Sequence, residues 1–92
     1  MPVGVVVEIP GGTQEQYESV FNQVHPDGKM PGGHLVHVAG PMEDGWMVMD
    51  VWESEEAFND FFNSEPMQQA IETAGLEVPE PEIFPVHNLI QK

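Results

Sequence analysis

The chain opens on Val3 to Ile9, a run that is β-branched almost throughout and stops at Pro10-Gly11-Gly12. A short apolar segment between turn signals predicts a buried strand. Thr13 precedes a helical pattern, and Gln16, three residues on, completes a capping box. Tyr17, Val20, Phe21 and Val24 then recur at the spacing of one apolar helix stripe. His25 to Gly33 holds two prolines and three glycines and reads as a loop.

Leu35 to Gly40 reads as a second strand. Pro41 to Gly45 reads as a hairpin connection and Trp46 to Trp52 as a third strand, expected to be central. On that strand Trp46, Val48, Asp50 and Trp52 share one face, and Met47, Met49 and Val51 the other. Ser54 is placed to cap a second helix, with Glu55 and Glu56 in its positive first turn. Ala57, Phe58, Phe61 and Phe62 form its apolar face. Asn63 to Pro66 predicts a break, with Ser64 as a new cap and Pro66 in a first turn. Met67, Ala70, Ile71 and Ala74 renew the stripe up to Gly75, a C′ glycine. Pro79 and Pro81 bound a linker. Ile83 to Ile90 reads as a last strand, which Pro85 assigns to a sheet edge.

The order βαββαβ predicts a ferredoxin-like α+β fold: a four-stranded antiparallel sheet with helices on one face, in one domain over residues 1–92. A chain of 92 residues buries a marginal core, and without cysteine or a recognisable metal motif it lacks the usual staples. The uncovered sheet face therefore needs a partner, and a homodimer is expected.

Charge narrows the partners. Sixteen acids against two bases, Lys29 and Lys92, give a net charge of −14, which repels phosphate backbones and anionic lipid. Neither nucleic acid nor a membrane is expected as a partner. The acids are dispersed, as on a solvated surface, and would also suit a high-salt cytoplasm. No basic-then-apolar leader pattern and no run of 18 apolar residues is present, so the expected location is cytoplasmic. The lack of cysteine excludes thiol catalysis, disulfides and thiolate metal sites.

Asp50, between two tryptophans on a central strand, is a candidate acid or base if buried. The plainer alternative is a carboxylate satisfied by a hydrogen-bond partner that only stabilises the sheet. Of the four histidines, His25 falls in the loop and is expected to be exposed. His34 and His37, three apart on a period-two strand, are expected on opposite faces, so no shared-face metal pair and no metal site is expected. His37 and His87 lie on different strands and could each face a cavity with Asp50, which makes Asp50, His37 and His87 the candidate catalytic residues. The glycine pairs match no nucleotide-binding loop, and no GxSxG elbow exists. The aromatic residues and six methionines suit either core packing or an adaptable apolar pocket. Trp52, Trp46, Phe58 and Phe62 are the candidate substrate-binding residues.

The run from Val48 to Phe58, in which a strand ending Trp52-Glu53-Ser54 gives way to a helix carrying Ala57-Phe58, resembles the strand-to-helix junction of antibiotic biosynthesis monooxygenase-like proteins, members of the dimeric α+β barrel superfamily. The resemblance is best from Gly45 to Gly75 and extends through the element order over most of the chain. It implies a dimer with a pocket between sheet and helices and, as in some members, cofactor-free oxidation of anthrone- or quinol-like compounds by O₂. The tryptophan of the anthrone-oxygenating members corresponds to Trp52. Their asparagine, tyrosine and arginine fall on Val48, Phe58 and Glu72. A haem-degrading branch has its iron-ligating histidine where this chain has Ile71 and a tryptophan near Phe61, so the resemblance does not extend to haem chemistry. It implies a monooxygenase-like protein without cofactor that takes a small aromatic or enolisable molecule. The alternative is a non-catalytic dimeric binding or stress-related module built on the same pocket.

Overall fold

A computed structural model describes residues 1–25, 30 and 32–91. Its elements run β1 (Val3–Pro10), α1 (Gln14–Val24), β2 (His34–Met42), β3 (Gly45–Trp52), α2 (Glu55–Phe62), α3 (Glu65–Ala74) and β4 (Glu82–Pro85). Of the loop expected between His25 and Gly33, residues 26–29 and 31 lie outside the described residues. The four strands form one sheet in the order β2-β3-β1-β4, every neighbouring pair antiparallel. This is the ferredoxin-like α+β arrangement, with its second helix divided in two at Asn63-Ser64.

The helix starts follow from their capping residues. Thr13 Oγ1 accepts the Gln16 N–H at 3.1 Å while Gln16 Oε1 accepts the Thr13 N–H at 3.1 Å, closing the capping box. Ser54 Oγ accepts the Ala57 N–H at 3.0 Å. Ser64 stands at the third N-cap but spends its hydroxyl on the Phe61 carbonyl at 2.6 Å, closing α2 instead. Gly75 ends α3 at φ 72°, the left-handed conformation that its missing Cβ allows.

β1 is hydrogen-bonded on both sides, and its Val3, Val5, Val7 and Ile9 point together into the core with Trp46, Trp52 and Phe58. The opposite face of the sheet is uncovered. Val38 and Met49 face each other there across β2 and β3, and Phe84 on β4 lies over Gly4, where a side chain would strike its ring. All three remain about half exposed.

Three strand expectations are corrected. β2 runs on through Pro41 to Met42 rather than ending at Gly40, since on an edge strand the missing proline N–H breaks no ladder bond. β4 stops at Pro85 rather than reaching Ile90. Beyond it the Val86 N–H turns to the Pro2 carbonyl at 2.9 Å. The third correction bears on the chemistry. His34 pairs with Trp52 and Val36 with Val51, so Leu35 is an extra, bulged residue with no partner across the ladder. The bulge shortens the effective spacing of His34 and His37 to two, and both rings fall on the helix-covered face.

Candidate functional site

That shared face places the histidines beside Asp50, which β3 presents directly opposite His37 in the ladder. His37 Nδ1 lies 2.7 Å from Asp50 Oδ1, and His34 Nε2 lies 3.2 Å from the same oxygen. Trp52 Nε1–H donates to the other oxygen, Oδ2, at 3.2 Å. Burial alone would raise the Asp50 carboxyl. The His34 and His37 imidazoles against its oxygen overcome that penalty and hold it at about 2. Asp50 is therefore an acceptor only. His37 Nδ1 carries the hydrogen between them, and Nε2 is left to accept.

The acceptor's partner comes from α1. The apolar stripe that packs α1 on the sheet includes Tyr17, whose ring lies 5.4 Å from that of Trp46 and whose hydroxyl meets His37 Nε2 at 2.5 Å. Burial first, then the charges of Asp50 and Glu18, push the phenol's pKa up, which keeps it a protonated donor. A continuous chain of hydrogen bonds thus runs from Tyr17 O–H through His37 to the Asp50 carboxylate.

These groups border a cavity of about 100 Å³ between the sheet and the helices. Its wall is largely apolar, with Phe58, Phe61 and Phe62 from α2 and Ile71 from α3. Among the described residues, several buried ring nitrogens on this wall find no protein hydrogen bond: both of His25, both of His34 and Trp46 Nε1. His34 Nε2 approaches Asp50 without the alignment of a hydrogen bond, and Nδ1 has no partner among the described residues. Buried polar atoms are normally paired, so the wall offers a bound molecule several donors and acceptors.

The sequence-predicted residues divide. Asp50 and His37 meet, and Trp46, Phe58 and Phe62 line the cavity. Trp52 does not reach it: fully buried, it stacks on His34 at 4.2 Å and 4°, meets Phe58 edge-on and steadies Asp50. His87 is exposed, past the end of β4, and borders a groove on the uncovered sheet face, because the strand that would have aimed it at Asp50 ends at Pro85. His25, expected to be exposed, is buried as the C-cap residue of α1, its N–H on the Phe21 carbonyl at 2.8 Å and its ring against Phe21. Burial, with His34 and His37 nearby, pushes its pKa down. Tyr17 and His34 were missed as site residues. A tyrosine on an otherwise apolar stripe is the available signal for the first, whereas the bulge that turns the second toward Asp50 leaves none.

His34, His37 and Asp50 also offer ligand atoms that all lie within 4.8 Å of one another, a donor set able to hold a metal ion. No helix among the described residues is long and apolar enough to cross a membrane.

No curated protein matches the chain by sequence. Among solved structures, Rv0793 from Mycobacterium tuberculosis is 12% identical over 99% of this chain and 100% of that one, with a TM-score of 0.72. SnoaB, a cofactor-independent oxygenase from Streptomyces nogalater, is 19% identical over 99% and 97%, with a TM-score of 0.64. A dimeric ferredoxin-like protein from Thermobifida fusca is 12% identical over 94% and 92%, with a TM-score of 0.66. At these identities the likeness is one of fold. The antibiotic biosynthesis monooxygenase family model matches residues 3–73, most of the chain, and the chain belongs to that family.

Proposed function

We propose that the protein is a cofactor-independent oxygenase acting on a small aromatic or enolisable molecule held in the cavity. The observation that carries this reading is the Tyr17–His37–Asp50 chain of hydrogen bonds at the cavity wall. A substrate C–H made acidic by an adjacent carbonyl or phenol gives its proton to the Tyr17 oxygen as the Tyr17 proton passes to His37 Nε2. Asp50 steadies the imidazolium that results. The carbanion adds O₂ by electron transfer and recombination, and the proton returns to the peroxide. Loss of water then leaves a ketone, so CH₂ and O₂ become C=O and H₂O.

Size restricts the substrate. A cavity of about 150 Å³ accommodates benzene, so this one, at about 100 Å³, takes nothing larger than a single ring unless α1 and α2 part. The test is O₂ uptake with a panel of one-ring quinols, small β-dicarbonyls and anthrone, for the protein and for Tyr17→Phe and His37→Gln. Turnover of a one-ring substrate that falls at least about 100-fold in both variants supports the reading. Equal turnover in all three proteins overturns it. The apolar remainder of the wall also suits a non-catalytic binding module, and saturable ligand binding with no O₂ uptake would decide for that. In either case we read the functional unit as a homodimer closed over Val38, Met49 and Phe84, as the dimeric Thermobifida fusca relative suggests.

A further inference from the structure

The bulge at Leu35 brings a second imidazole, that of His34, which the proton path does not use, to the same carboxylate oxygen. We propose that His34 Nε2, His37 Nδ1 and Asp50 Oδ1 form a binding site for one divalent first-row transition-metal ion, a property beyond the oxygenase reading and independent of it. The two histidine nitrogens lie 2.7 Å and 3.2 Å from the oxygen, and the three residues offer ligand atoms that are all within 4.8 Å of one another. An ion bound at about 2.0–2.2 Å to each would set its ligand atoms about 3–3.4 Å apart, a change of well under 1 Å at the shorter contact.

Independent observations point to a ligand here. The His34 side chain is 2% exposed, yet among the described residues neither ring nitrogen has an aligned hydrogen bond. Its ring is locked flat on Trp52 at 4.2 Å, so it cannot swing away to find one without breaking that stack. An ion would satisfy Nε2 outright. Groups that orient metal ligands are already present: Trp52 Nε1–H holds the free carboxylate oxygen, and the Tyr17 oxygen is placed to accept from His37 Nε2–H once Nδ1 coordinates. The cavity borders all three ligands and leaves space for further coordination positions. Two imidazoles and one carboxylate, in a chain without cysteine, favour Zn²⁺, Fe²⁺, Co²⁺ or Ni²⁺ over Ca²⁺ and Mg²⁺, which prefer oxygen, and over Cu⁺, which prefers sulfur.

The test uses Zn²⁺ with the ¹⁵N-labelled, chelator-treated protein, reading the histidine ring nitrogens by long-range ¹H–¹⁵N correlation and counting bound metal after dialysis. One equivalent is expected to bind, moving the signals of His34 Nε2 and His37 Nδ1 and leaving those of His87 in place. His34→Ala and His37→Ala are expected to weaken binding at least about 100-fold, and Tyr17→Phe, which lacks only the outer hydrogen bond, by about 10-fold. Because Tyr17→Phe abolishes the proton path and keeps the ligands, failure of the oxygenase reading and failure of the metal site are distinguishable. Ring signals of His34 and His37 that stay fixed in excess Zn²⁺ would overturn the proposal. So would binding that both alanine variants leave unchanged, which would mean diffuse association with the acidic surface.

Discussion

Replacing Asp50 with asparagine isolates the charge at the centre of the site while keeping its shape. In the folded protein the carboxyl is held at about 2 against an ordinary 3.8, a gap worth about 2 kcal/mol at roughly 1.4 kcal/mol per pH unit. That figure is net, since burial pushes the other way and the two histidines more than offset it. A depressed carboxyl stabilises the fold above its unfolded value and loses that contribution as pH falls through its folded one. Asp50→Asn is therefore expected to cost about 2 kcal/mol at pH 5 and above, and its deficit to shrink between pH 4 and pH 2 as the native carboxylate takes up its proton. The difference between the two proteins cancels the other acids, which titrate in both. For a domain this size the deficit is about 8–16 °C in melting temperature at pH 6. Urea unfolding of both proteins at half-unit steps from pH 6 to pH 2, with chelator present, measures it. A deficit that stays constant over that range would refute the reasoning, because the cost would then come from shape or packing and not from a charge held by His34 and His37.

Other outcomes follow from the same geometry. Tyr17→Phe is expected to lower turnover about 10²- to 10³-fold while costing only about 1 kcal/mol, the worth of one hydrogen bond, checked by O₂ uptake beside thermal melts. His87→Ala is expected to leave turnover unchanged, since the ring is exposed on the far side of the sheet from the cavity; a large loss would place it in the site. Met49→Glu puts a charge in the middle of the uncovered apolar face and is expected to convert a dimer to monomer in light scattering; an unchanged mass would move the interface elsewhere.

Why some of this was legible and some was not comes down to which rules are local. Thr13, Gln16, Ser54 and Gly75 act on backbone groups one to four residues away, so the sequence located the helix ends directly. The β3 alternation is equally local, and it placed Asp50 on the correct face with Trp46 and Trp52. Ladder register is not local. The period-two rule assumes an unbroken ladder, and the extra residue at Leu35 inverts every side chain on its far side, so His34 and His37 could not be put on one face by counting. The same limit hid Tyr17. Its position on the α1 stripe was evident, but its hydroxyl's partner is a histidine 20 residues away that only the docking of α1 on the sheet brings within reach. The β3 alternation shows which face Trp52 occupies but not how deep it lies. At the end of β3, beneath His34 and Phe58, it sits behind the wall.

The proton path and the metal site make opposite demands on one ring. Proton transfer needs hydrogen on His37 Nδ1, directed at Asp50, and a bare Nε2 facing the Tyr17 hydroxyl. Coordination needs a bare Nδ1 and hydrogen on Nε2, directed at the Tyr17 oxygen. One ring cannot hold both tautomers, so an ion seated on Nδ1 removes the acceptor that takes the Tyr17 proton. One equivalent of Zn²⁺ is thus expected to stop cofactor-free turnover, and a chelator to restore it. His34 is the lever that separates the two, because it belongs to the ion's donor set and not to the path from Tyr17 to Asp50. In His34→Ala, whatever turnover remains is expected to persist at the Zn²⁺ concentration that silences the unsubstituted protein. Inhibition equally strong in His34→Ala would mean that the ion acts elsewhere on the acidic surface. Turnover raised by Zn²⁺ would mean that the substrate's proton leaves by a route that does not pass through His37.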